Sequence, residues 1–181
     1  MDFFKARYWE SGQTGHGWRR IDSSWLDGSE ELALQLDNMT NNTSLVLAIE
    51  LPGGDVLLFV ADAQVGNWLS WQDLSWQVGG SNVTGRDLLE RSIFYKVGHH
   101  GSHNATLREK GLDMMPNLQI AFVPVDHAMA VKKRWGKMPL PEIVSELREK
   151  TKGRVFQADM PNGTELPSNV EATPLYIEVT F

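Results

Sequence analysis

The 181-residue chain reads as an α/β fold, a mixed sheet packed with helices, and three observations predict it. Residues 55–60, 93–97 and 118–125 are continuous apolar runs, rich in β-branched and aromatic side chains, of the kind that forms strands buried on both faces. Residues 85–91, 105–115 and 142–150 carry helical spacing between and after those runs. Two of the runs also end directly on residues with chemistry: Ala61-Asp62-Ala63 after the first, Gly98-His99-His100-Gly101-Ser102-His103 after the second. The length suits one domain with a sizeable core.

In chain order, residues 1–29 of the opening segment 1–37 are rich in Gly, Ser, Trp and Arg, and Trp9, Trp18 and Trp25 follow no helical or strand period. They read as a loop-rich opening segment, with a short helix over 30–36 that has Glu30 and Glu31 in its first turn. Residues 38–181 hold the rest of the fold. A turn at 37–42 leads to a strand over 43–51. Pro52-Gly53-Gly54-Asp55 then reverses the chain into the run ending at Val60, so 43–61 reads as an antiparallel hairpin whose second arm delivers Asp62. Trp68, Trp71 and Trp76 lie in an irregular or short-helical stretch, either core aromatics or a water-excluding lid. Gly79 to Asn82 reads as a loop, and Gly85 to Arg91 as a short helix into the strand at Ile93.

Beyond the histidines, 105–115 reads as an amphipathic helix broken near Gly111, and 118–125 as a buried strand closed by Pro124 and Asp126-His127. Lys132, Lys133, Arg134 and Lys137 form the basic run. Pro141 opens a helix to Lys150 with Ile143, Val144 and Leu147 as its apolar stripe. Strands over 154–157 and 175–181 finish the chain. In the second, Ile177, Val179 and Phe181 alternate with Tyr176, Glu178 and Thr180, so one of its faces is exposed.

The candidate site gathers at strand ends. Aspartate and neutral histidine both bind first-row metals, and a carboxylate can bridge two ions. Each residue also has a structural reading. Asp62 could cap a helix, His99 and His100 could bond to backbone in a turn, and His103 could be exposed or orient a neighbour. Ser102 has no partnered base in the sequence, which argues against a serine hydrolase. Asp126 and His127 form a weaker pair at another strand end.

Leu57 to Gln64 (LLFVADAQ), Tyr95 to Ser102 (YKVGHHGS) and the upstream Asn41 to Leu47 (NNTSLVL), in that order, resemble the carboxyl-terminal half of metallo-β-lactamase-fold hydrolases, in the branch that includes the hydrolase domain of ComEC-like DNA-uptake proteins. The resemblance spans about residues 38–181. It implies half of an αββα sandwich, with Asp62 as a metal-bridging aspartate and His99 as the last metal-binding histidine. His100 is the less favoured of the adjacent pair, and Ser102 and His103 are possible neighbours of the ligands. Zinc or manganese is the implied cofactor, and a metal-activated water attacking a phosphodiester or ester the implied reaction. The family's His-x-His-x-Asp-His string has no counterpart in the chain, and His16 stands apart from the motifs. Asp62 and His99 make two ligands where a catalytic zinc takes three. The implied partner is therefore a missing amino-terminal half, or a second copy whose His16 or His127 completes the site. The alternative is a non-catalytic, dimeric binding or assembly module that keeps the half-fold.

Composition narrows the classes. The chain has no cysteine, which excludes disulfides and thiolate ligands. No apolar run is long enough to span a membrane, and the first residues lack a signal-peptide pattern; together these suggest a cytoplasmic protein without a membrane partner. A net charge of −6 disfavours nucleic-acid binding through a broadly basic surface. Nucleic acid stays a weaker partner through the local basic run.

Overall fold

The apolar runs do form strands, shorter than the runs themselves. The computed structural model describes residues 39–161, 163–173 and 175–181. The expected opening segment, with its helix at 30–36 and His16, lies outside them. The chain divides into two compact units, Met1–Thr40 and Asn41–Phe181. In the second, β1 (Leu47–Glu50) and β2 (Val56–Phe59) lead to α1 (Val65–Ser70), then to β3 (Ser75–Val78), β4 (Ser81–Thr84) and α2 (Gly85–Glu90). Next come β5 (Ser92–Lys96), β6 (Ile120–Val123), α3 (His127–Lys133), α4 (Pro141–Lys150), β7 (Val155–Gln157), β8 (Val170–Ala172) and β9 (Ile177–Val179). Strands β1, β2, β5, β6 and β7 make one mixed sheet in that order; β3 with β4 and β8 with β9 are separate antiparallel pairs. Among the described residues no helix is long and apolar enough to cross a membrane.

Strand order fixes where the core sits. β1 pairs antiparallel with β2, whereas β2, β5, β6 and β7 are mutually parallel. Successive parallel strands are added in one direction, so right-handed crossovers place all three connections on the same face. The core agrees: Leu58, Val60, Tyr95, Val97, Ala121 and Val123 of the sheet pack with Trp68, Leu89, Leu112, Met115, Leu118 and Leu147, which come from all three connections. Trp68 is fully buried, and its indole N–H donates to Ala105 O at 2.9 Å. It is a core aromatic and no lid.

The opposite face carries Leu57, Phe59, Phe94, Lys96, Phe122 and Phe156, and the β8–β9 pair approaches it with Ile177, Val179 and Phe181. The last strand, expected over 175–181, is confined to Ile177–Val179; within it the alternation holds, with Ile177 and Val179 half-buried and Glu178 exposed, whereas Phe181 beyond it is 49% exposed. Lys96 lies on this face, away from the core.

Four expectations differ from the structure. The strand expected over 43–51 is confined to Leu47–Glu50 and is exposed throughout, because it is the edge of the sheet and only its partner β2 is central. The loop expected at 79–82 is the turn of the β3–β4 hairpin; Gly79 and Gly80 both take positive φ, 57° and 86°, which a two-residue turn between strands requires. Residues 105–115 form turns and a short 3-10 segment at Leu112–Met114 in place of a helix. There Trp68 takes Ala105 O, Tyr95 OH holds Thr106 Oγ1 at 2.8 Å, and a side chain at Gly111 would run into the Trp68 ring, so long-range packing overrides the helical spacing. The basic run, expected as a charged stretch only, sits on α3 and the loop after it.

Candidate functional site

Parallel pairing puts the carboxyl ends of β2, β5, β6 and β7 on one edge, and each carries polar chemistry. Asp62 and Gln64 follow β2, His99 and His100 follow β5, Asp126 and His127 follow β6, and Asp159 follows β7. The order contains no reversal among the parallel strands, so this edge lacks the crevice that a doubly wound sheet opens at its switch point.

The β2 and β5 ends are tied directly. His99 N donates to Ala61 O at 3.0 Å, which sets His99 beside the residue preceding Asp62. Gly98 makes this approach possible: a Cβ there would lie 2.8 Å from Val60 Cγ2 and 3.0 Å from Ala61 O. Asp62 N is held by Ser44 Oγ at 3.2 Å, which links the motif at 41–47 to the site. Ala61, His99 and His100 all have positive φ, at 46°, 42° and 53°. Three non-glycine residues in the left-handed region cost about 1–3 kcal/mol each, a concentration of strain typical of functional corners.

Two consecutive left-handed residues send the adjacent imidazoles to different neighbours. His99 Nδ1 lies 3.4 Å from Gln64 Nε2, on the β2 side. His100 Nδ1 lies 2.6 Å from Pro124 O, on the β6 side, and its ring stacks on Trp135 with centroids 6.0 Å apart and planes 18° apart. Both imidazoles are half-buried.

The other expected residues have local work. Ser102 is buried and donates from Oγ to Asn104 Oδ1 at 2.7 Å; His103 is exposed. Asp126 caps α3 by accepting from Met129 N at 2.8 Å, and His127 is exposed, its backbone N–H donating to Asp159 Oδ2 at 2.7 Å. Beneath the corner, burial pushes the Tyr95 phenol well above its ordinary value; the Thr106 hydroxyl and the Gly98 backbone oppose that more weakly.

The donor chemistry at the β2 and β5 ends, a carboxylate and an imidazole, suits a borderline divalent cation. The number does not suffice for a catalytic ion: among the described residues no three His, Asp or Glu side chains converge as ligands. Asp62 and His99 can therefore complete a catalytic site only with further ligands, from residues outside those described or from a second copy.

Three contributors escaped sequence reasoning. Gln64 follows Asp62 by two positions and is buried, so a polar residue closing an apolar strand was its signal. Trp135 is an aromatic set among cations, and it reaches His100 only because the chain after α3 folds back. Asp159 carried no sequence signal, since its role depends on β7 lying next to β6. No family model, curated protein or solved structure matches this chain.

Proposed function

We propose that this chain is the carboxyl-terminal part of a metal-dependent hydrolase of the metallo-β-lactamase type, acting on a phosphodiester or ester. The observation that carries the reading is the juncture of β2 and β5: two parallel strands end on Asp62 and His99, joined by the His99 N to Ala61 O bond at 3.0 Å. The layering is compatible with the half-sandwich: helices cover one face of the sheet, and the β8–β9 pair covers only part of the other, leaving Leu47 and Ile49 exposed toward β1. When bound, the ion, zinc or manganese, supplies a water of lowered pKa. The chain's own part is to orient Asp62 from a strand end pinned by Ser44 and to set His99 beside it, while residues outside those described complete the ligand set.

Metal content per chain, measured on protein purified without chelator, tests this. About one or two zinc or manganese ions per chain, lost in Asp62→Ala and in His99→Ala while both stay folded, is the expected result. Wild-type protein without metal above background sinks the reading for this chain alone.

A non-catalytic assembly module is the second reading. It is favoured by the sheet edge, where Leu47 and Ile49 are 45% and 47% exposed on an apolar strand.

A further inference from the structure

The chain between β6 and α4 forms a lobe that the core barely uses. From Asp126 to Lys137 every residue except Ala130 is exposed, and Ala130 is the one buried residue of α3. The lobe is nonetheless fixed at its base. After α3 the chain turns at Arg134, with φ 57°, and Trp135 N donates to Ala130 O at 3.0 Å. It then rejoins the β5 corner, where Leu140 N donates to Gly101 O at 2.7 Å and a Cβ on Gly101 would meet Pro139 Cβ at 2.9 Å. A helix that buries a single alanine adds little to a core, so its exposed side chains call for another account.

Those side chains are of two kinds. Lys132, Lys133, Arg134 and Lys137 are cations, and no carboxylate side chain occurs from His127 to Pro141. Among the described residues none of the four has a carboxylate within ion-pair distance. Lys132 and Lys133 suit the carboxyl end of the α3 dipole, but Arg134 and Lys137 lie beyond it. Asp126, which caps α3, and Asp159, which accepts from His127 N, sit at the opposite end of the helix. Interleaved with the cations are three exposed apolar side chains, Met129, Val131 at 61% and Trp135 at 47%. The whole chain carries a net charge of −6, so the lobe is a local reversal of sign.

This pairing of chemistries discriminates between anionic partners. Nucleic acid would use the cations and could stack a base on Trp135, but it has no use for Met129 and Val131. A lipid surface uses all of them: the cations meet anionic headgroups, the aliphatic side chains enter the acyl boundary, and the indole sits between the two. The expectation of no membrane partner rests on spans, and a peripheral contact needs none.

We propose that the lobe at 127–137 is a peripheral docking surface for an anionic lipid bilayer. The four cations supply the attraction that salt screens, and Met129, Val131 and Trp135 supply the part that salt does not. Because the lobe rejoins the fold at Gly101, docking brings the β5 corner close to the headgroups. The docking does not depend on the hydrolase reading.

Cosedimentation of the full chain with vesicles tests this, one set of phosphatidylcholine alone and one with about a quarter phosphatidylserine. Wild type should be enriched on the anionic set. Lys132→Gln with Lys133→Gln should weaken that binding about 25-fold, at about fivefold per charge. Arg148→Gln with Lys152→Gln, which removes two exposed cations around the end of α4, should leave it within about twofold. In salt that screens the cations, the residual binding should fall further in Val131→Ser with Trp135→Ala. All these positions are exposed, so the variants keep the fold. Wild type that ignores the anionic vesicles, or that loses binding equally in the two glutamine pairs, overturns the proposal. Binding abolished by salt, or a salt-resistant part that the Val131 and Trp135 variant leaves unchanged, overturns the lipid assignment. A fluorescent oligothymidylate bound by wild type and released by the lysine pair, with the vesicles unbound, overturns it in favour of nucleic acid.

Discussion

Single side chains beneath the corner couple stability to pH. Burial raises the Tyr95 phenol above its ordinary 10.0, so the folded state holds the proton more tightly than the unfolded chain does. The resulting stability is fully present below pH 10.0 and declines as pH rises beyond it, where the unfolded chain ionises and the folded one does not. Tyr95→Phe removes that dependence. At neutral pH it should cost about 1 kcal/mol, because Thr106 loses its 2.8 Å partner. Urea unfolding of both proteins from neutral pH to above 10 checks this: the wild-type advantage should shrink at the alkaline end. A constant gap would mean that the phenol is not shielded from water. Asp87 works in the opposite sense. Its bonds to the Thr84 side chain and backbone hold its carboxyl below the ordinary value, so the stability it lends to the α2 cap is lost only in acid.

Among the elements, strand ends rather than helices decide the site, and these were the most legible part of the sequence. The runs ending at Val60 and Val97 stand out because buried parallel strands are apolar throughout, and the residues directly after such a run must emerge at the sheet edge. The helix at α4 was equally plain, with Pro141 at its start and an apolar stripe along one side. Illegible were the features set by distant contacts. Residues 105–115 have helical spacing, yet Trp68 and Tyr95 claim their polar groups; β8 has only three residues and depends on β9 for its pairing. The assignment of His100 to Pro124 and Trp135 depends on how the chain returns after α3, which no local pattern encodes. Gly98 tests the strand-end view. Alanine there crowds Val60 Cγ2 and Ala61 O, so Gly98→Ala should lose about 1–3 kcal/mol and weaken any metal binding, since His99 moves with it. Gly53→Ala, at a position open to solvent, should stay within about 0.5 kcal/mol. Equal effects from the two substitutions would detach the site from the β2–β5 juncture.

Across Asn41–Phe181, the strand order has a consequence that no single element shows. All three parallel crossovers fall on one face, and among the described residues the β8–β9 pair, with Met160 and Leu166, shields Phe94, Phe122 and Phe156 on the other. Shielding runs out toward β1, where Leu47 and Ile49 pair with Phe59 and Leu57 and are about half exposed, and Leu45 is 72% exposed. Edge strands usually carry charge, proline or a bulge that discourages pairing with another chain; Leu47-Ala48-Ile49-Glu50 has only its terminal glutamate. If the assembly reading holds, the full chain should sediment as a concentration-dependent dimer, and Leu47→Lys with Ile49→Lys should return it to monomer. Because both side chains are exposed in a single chain, the double variant should unfold within about 1 kcal/mol of wild type once dissociated. A wild type that stays monomeric at every concentration removes the assembly reading and leaves the hydrolase half, with its metal content, as the one to pursue. Dimer and metal measured on the same sample separate the cases further. Metal that disappears together with the dimer in the lysine variant would mean that the second copy supplies the ligands that Asp62 and His99 lack.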